Sequence, residues 1–93
     1  MLLIIMIMFK DNEIDIIALN ENNGEILSVE CKWSENVDPV GILQSLKRKP
    51  KLVNWKKKSR SEKYILIAKS FTKTLHDKNV KMIDLKQLFQ IVS

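Results

Sequence analysis

The 93-residue chain has one cysteine, one histidine and no pairing of such residues at zinc-ligand spacing. A single thiol excludes an internal disulfide. It leaves Cys31 as a small apolar side chain suited to a reducing compartment. His76 lies between Leu75 and Asp77 with no second imidazole to share a metal, which favours an exposed bystander over a general base. No glycine-rich phosphate loop of the G-x-x-x-x-G-K-[ST] kind occurs, so nothing supports ATP hydrolysis by these residues. The one long apolar run, Met1 to Phe9, is too short to cross a bilayer and carries no positive leader or small-residue cleavage site. Membrane insertion is therefore not expected, and a cytoplasmic protein is. What remains is 45% hydrophobic and 29% charged, an ordinary balance for one globular domain over residues 1–93.

The most informative stretch is Glu13 to Lys32. It reads E-I-D-I-I-A-L-N, then E-N-N-G, then E-I-L-S-V-E-C-K. Two runs rich in Ile, Leu and Val around an Asn-Asn-Gly turn predict a β-hairpin. Side chains alternate between faces along a strand, so parity decides which residues meet. A turn on Asn22-Asn23 sets Asp15 opposite Glu30. A turn on Asn23-Gly24 sets Asp15 opposite Lys32 and diagonal to Glu30. Either register gathers Glu13, Asp15, Glu30 and Lys32 on one face and leaves Ile14, Ile16, Ala18, Leu27, Val29 and Cys31 as an apolar face, expected to be the dry one. A three-residue turn would split both sets. Two carboxylates beside a lysine can hold a hard divalent cation, with the lysine orienting a water or neutralising charge on a phosphate. The alternative is a cross-strand ion pair on a solvated edge, worth a few tenths of a kcal/mol, on the order of ~0.3.

The rest of the chain supplies a scaffold. Met1 to Phe9 is continuously apolar, which predicts a first strand buried on both faces and joined through Lys10-Asp11-Asn12 to the hairpin. Asp38-Pro39 predicts a helix start, Val40, Ile42, Leu43 and Leu46 give its apolar stripe, and Pro50 must bend or break it. A second helical piece is expected over 51–55. Tyr64 to Ala68 predicts a central strand, parallel to the second hairpin strand through a right-handed crossover. Val80 to Ile83 predicts a short strand, and Asp84 caps a final helix whose core stripe is Leu85, Leu88, Phe89 and Val92. The expected fold is α/β, one mixed sheet in the order βββαββα.

Charge is unevenly placed. Residues 47–63 hold nine basic residues against Glu62 alone, a surplus of eight where the whole chain nets +5. Eight of them, Lys47, Arg48, Lys49, Lys51, Lys56, Lys57, Lys58 and Arg60, form a candidate surface for the phosphate backbone of DNA, with Trp55 available for stacking. The alternatives are a solvated lysine-rich loop and a buried Trp55 that anchors the segment.

The order of acid, hairpin turn and Glu30-Cys31-Lys32 resembles the D…(D/E)-x-K signature of the PD-(D/E)XK nuclease superfamily. The longer string through Trp33, Asp38-Pro39 and Ala68-Lys69-Ser70-Phe71 resembles the C-terminal domain of unknown function of a family of archaeal ATPases. The resemblance implies a restriction-endonuclease-like core and a Mg²⁺ or Mn²⁺ cofactor. Asp15 and Glu30 would be metal ligands, the carbonyl of Cys31 a further ligand, and Lys32 the catalytic lysine. That core normally opens with a helix, for which this sequence has no counterpart before Met1, so a stand-alone or truncated copy of the domain is expected. The function expected is Mg-dependent hydrolysis of a phosphodiester in DNA by a nuclease-like domain. The alternative is a non-catalytic module that binds DNA or a protein, a second copy or an ATPase among them, with Lys32 neutralising Asp15 and Glu30.

Overall fold

A computed structural model describes residues 2–10 and 13–92. The expected Asp11-Asn12 link falls outside them, and so does the side chain of Val92. Five strands form one sheet in the spatial order β1-β2-β3-β4-β5: β1 Leu2–Lys10, β2 Glu13–Asn20, β3 Glu25–Lys32, β4 Ser61–Ala68 and β5 Val80–Ile83. The first three are antiparallel neighbours, while β3, β4 and β5 run parallel. Helix α1, Pro39–Leu46, makes the crossover from β3 to β4, and α2, Leu85–Val92, follows β5. The βββαββα order and the mixed sheet are those expected.

Local chemistry accounts for the boundaries. Asp38 caps α1 by accepting from the Val40 amide at 3.0 Å, and Pro39 occupies the first turn, where its missing N–H costs nothing. Asp84 and Gln87 close a reciprocal cap on α2: the Gln87 amide donates to Asp84 Oδ1 at 2.8 Å and the Asp84 amide to Gln87 Oε1 at 2.9 Å. The α-helix closes at Leu46, and Pro50 opens only a single 3₁₀ turn, Pro50–Leu52, in place of the longer helical piece expected over 51–55. The β2–β3 connection is centred on Asn22-Asn23. Gly24 adopts φ +63°, which a side chain disfavours, and its carbonyl accepts from the Ser61 amide at 2.9 Å.

The core lies on the sheet face that carries the acids. Ile17, Leu19 and Ile26 are buried with Met6, Val53 and Trp55 packed against them. Val37, Ile42, Leu46, Tyr64, Leu66 and Ala68 form the second buried group beneath α1. This reverses the expectation for the hairpin. On the face expected to be dry Ala18 is buried, but Ile14 is exposed and Ile16, Leu27, Val29 and Cys31 are only half-buried. The first strand also differs from expectation. It is an edge strand, and Leu3, Ile4, Ile7, Met8 and Phe9 remain exposed. Trp55 is an anchor in the core rather than a free stacking platform.

The segment between α1 and β4 is held by one residue. The Arg60 side chain is 3% exposed, and its guanidinium donates to the carbonyls of Pro50 (2.7 Å), Val53 (2.8 Å) and Trp55 (2.9 Å) and twice to Glu62 Oε2. The other Glu62 oxygen accepts from the Tyr64 hydroxyl at 3.0 Å. Burial, with that hydrogen bond and the Glu62 charge adding, pushes the Tyr64 phenol up to about 12. Tyr64 is the chain's only tyrosine, so its titration can be read directly from phenolate absorbance. The expected midpoint is near 12. The phenol is favoured in the fold, so its stabilising contribution is complete below the ordinary tyrosine value of about 10 and is lost as pH climbs from there towards 12. Tyr64→Phe should flatten the stability loss over that window in alkaline denaturation curves.

Candidate functional site

Asp15 and Glu30 are direct partners across β2 and β3, and Glu13 pairs with Lys32 one step nearer the open end. Of the two registers compatible with the sequence, this is the one that opposes the acids. Both carboxylates face the covered side. The Asp15 side chain is 14% exposed and that of Glu30 8%. They converge on one cation, and that cation is Lys49. Its Nζ donates to Asp15 Oδ2 and lies 3.4 Å from Glu30 Oε1. Asp15 Oδ1 is buried with no protein partner, and so is the hydroxyl of Ser28, two residues before Glu30 on the same face of β3. Buried polar atoms are nearly always paired, so a donor or a cation beside Asp15 Oδ1 would fit the chemistry of this face.

The electrostatics follow from burial. Desolvation pushes the Glu30 carboxyl above its ordinary value and the Asp15 charge adds to this, while the Lys49 charge and hydrogen bond oppose it. Burial also raises the Cys31 thiol. By strand alternation that thiol points to the opposite face, so only the Cys31 backbone carbonyl could join the acids.

Lys32 is on the acid face by parity, but its ammonium pairs with Glu13 at 3.6 Å, and that pair is about two-fifths exposed. Among the described residues it makes no ion pair with Asp15 or Glu30. Lys49 does so instead, although the sequence places it within the basic run. Ile42, Leu46 and Lys49 are spaced i, i+4, i+7, and Ile42 and Leu46 are buried, so Lys49 continues the helix stripe that faces the sheet. That spacing is the signal from which its position could have been read.

The eight candidate DNA-binding residues divide. Lys47, Arg48, Lys51, Lys56, Lys57 and Lys58 are exposed. Lys49 is committed to the acids and Arg60 to its internal carbonyls, so neither adds to the outer surface. Lys56 lies over the Trp55 ring, 5.3 Å from its centroid, and Lys47 over Tyr64 at 5.9 Å. His76 is exposed, as expected. Among the described residues no three His, Cys, Asp or Glu side chains form a metal cluster. A pair of carboxylates is nonetheless an adequate protein share for Mg²⁺, which keeps several waters and often takes further oxygens from a phosphate. The seated ammonium and the unpaired Asp15 oxygen fit a cation at this point.

The fold and the site together define an α/β domain whose mixed sheet presents two opposed carboxylates to a basic segment. The sequence profile of DUF234, described as archaeal and bacterial proteins of unknown function, matches residues 8–63, more than half of the chain. The chain belongs to this family. The matched span includes Asp15, Glu30, Lys32, Lys49 and Arg60. No curated protein and no solved structure gives a significant match. Among the described residues no helix is long and apolar enough to cross a membrane.

Proposed function

We propose that this is a nuclease-like domain that hydrolyses phosphodiesters in DNA with a divalent cation at Asp15 and Glu30. The observation that carries the reading is the convergence of two largely buried, directly opposed carboxylates on a single cation position, with one carboxylate oxygen left unpaired. The reading also rests on the resemblance of Asp15 and Glu30-Cys31-Lys32 to the PD-(D/E)XK signature. When bound, Mg²⁺ or Mn²⁺ would supply an acidified water and charge stabilisation at phosphorus. Asp15 and Glu30 would hold it, together with the Cys31 carbonyl. Lys32, at the open end and about two-fifths exposed, can leave Glu13 at little cost and meet an incoming phosphate. Arg48 and Lys51, exposed on either side of Lys49, offer charges for the flanking backbone.

The Lys49 bridge favours a second reading. An ammonium already neutralises the acids, as in a non-catalytic module that binds DNA or a protein, including the ATPase partner suggested by the family resemblance.

Cleavage of single-stranded, duplex and branched DNA in Mn²⁺ separates the two. The nuclease reading expects cutting by the wild type that falls at least about 100-fold in Asp15→Ala and in Lys32→Ala, typical of losing a group that stabilises the transition state. Salt-sensitive DNA binding without cutting in all three proteins would leave the binding module.

A further inference from the structure

We infer that Lys49 is a tethered counter-ion that keeps the Asp15–Glu30 pair closed, and that it must vacate the pair before a divalent cation can bind there. The inference rests on the cation site proposed above and adds a regulatory residue to it.

The geometry carries the argument. The Lys49 ammonium occupies the space between the two carboxylates, bonded to Asp15 Oδ2 and 3.4 Å from Glu30 Oε1. A hard cation held by both carboxylates sits about 2.0–2.6 Å from an oxygen of each, in the space between them that the ammonium fills, and the two positive charges repel, so the two occupants exclude each other. Lys49 is also placed to leave. Its side chain is 20% exposed, and it follows α1 in the short turn before Pro50. Leu46 and Pro50 fix the backbone on either side, both fully buried, so only the four-carbon stem need swing outward. Its neighbours Lys47, Arg48 and Lys51 are exposed, and the released ammonium would join a surface suited to phosphate. A polyanion on that surface would favour the released position and so aid cation binding at the acids, by linkage between the two sites. Loading is thereby tied to the presence of a nucleic-acid backbone.

Mn²⁺ binding by electron paramagnetic resonance tests this with wild type, Lys49→Met and Asp15→Asn, each with and without a short DNA duplex. The side-chain Cε resonance of Lys49, assigned by its loss in Lys49→Arg, is followed in the wild type as diamagnetic Mg²⁺ is added. The expected result is Mn²⁺ affinity at least tenfold tighter in Lys49→Met than in wild type, and lost in Asp15→Asn. DNA should tighten wild-type affinity but not that of Lys49→Met. The Lys49 resonance should move towards that of an exposed lysine as Mg²⁺ binds. Asp15-dependent Mn²⁺ binding with equal affinity in wild type and Lys49→Met, and a stationary Lys49 resonance, overturns the counter-ion inference alone. Absence of Asp15-dependent binding in every variant overturns the cation site and the inference with it. If Lys49→Met does not fold, the wild-type resonance decides the matter.

Discussion

Lys49→Met should lower the unfolding free energy by about 3 kcal/mol in the absence of divalent cations, within the range for breaking a buried ion pair from one side. The loss exceeds that of an exposed pair because the Asp15 and Glu30 carboxylates remain desolvated and face each other without a neutralising charge. Adding Asp15→Asn removes half of that conflict, so the double variant should recover about 1–2 kcal/mol relative to Lys49→Met. Lys32→Met should cost less than about 1 kcal/mol, since the Lys32–Glu13 pair is solvated. Urea titrations of the four proteins measure the set. Equal losses for Lys49→Met and Lys32→Met would contradict the assignment of Lys49 as the acids' partner.

Arg60→Ala should cost about 3–4 kcal/mol, equivalent to a fall of roughly 15–25 °C in Tm for a domain of this size. The guanidinium is the donor for three carbonyls spread over Pro50, Val53 and Trp55, so its removal leaves all three without it and frees Glu62 of its counter-charge. The segment it clamps carries Trp55 and Val53 against Ile17, Leu19 and Ile26. Core packing should therefore loosen along with the loop, and fluorescence in a Trp33→Phe background, where Trp55 is the only indole, should report exposure before global unfolding. Arg60→Lys should recover little, because an ammonium cannot span three carbonyls and a carboxylate in the fork geometry of arginine. A Tm change below about 5 °C for Arg60→Ala would show that the clamp is dispensable. Thermal melts by circular dichroism decide this.

These two residues also show where sequence reasoning stops. Strand parity, the Asn22-Asn23-Gly24 turn and the Asp38 and Asp84 caps are short-range features, and each is expressed as local chemistry dictates. The parallel placement of β4 beside β3, expected from the helical crossover between them, is also found. Which face of the hairpin is covered was not legible. Ile14, Ile16 and Ala18 on one side look as apolar as Ile17 and Leu19 on the other, and only the packing of α1 and the 50–60 segment distinguishes them. A continuously apolar β1 reads as buried, yet at the sheet edge Leu3, Ile4, Ile7, Met8 and Phe9 are left exposed. In the sequence Arg60 reads as one more cation in a basic run, because its carbonyl partners become neighbours only after the chain turns at Pro50. Lys49 was hidden by the same run, although its helical spacing from Ile42 and Leu46 carried the information.

The central claim is that Asp15 and Glu30 form a divalent-cation site, and anomalous diffraction from a crystal soaked in Mn²⁺ addresses it most directly. The account predicts a peak within about 2.0–2.3 Å of an oxygen of each carboxylate, with the Lys49 ammonium displaced from between them. Unchanged Lys49 contacts to both acids at saturating Mn²⁺, with no peak there, would contradict it and leave the cluster as a structural ion pair.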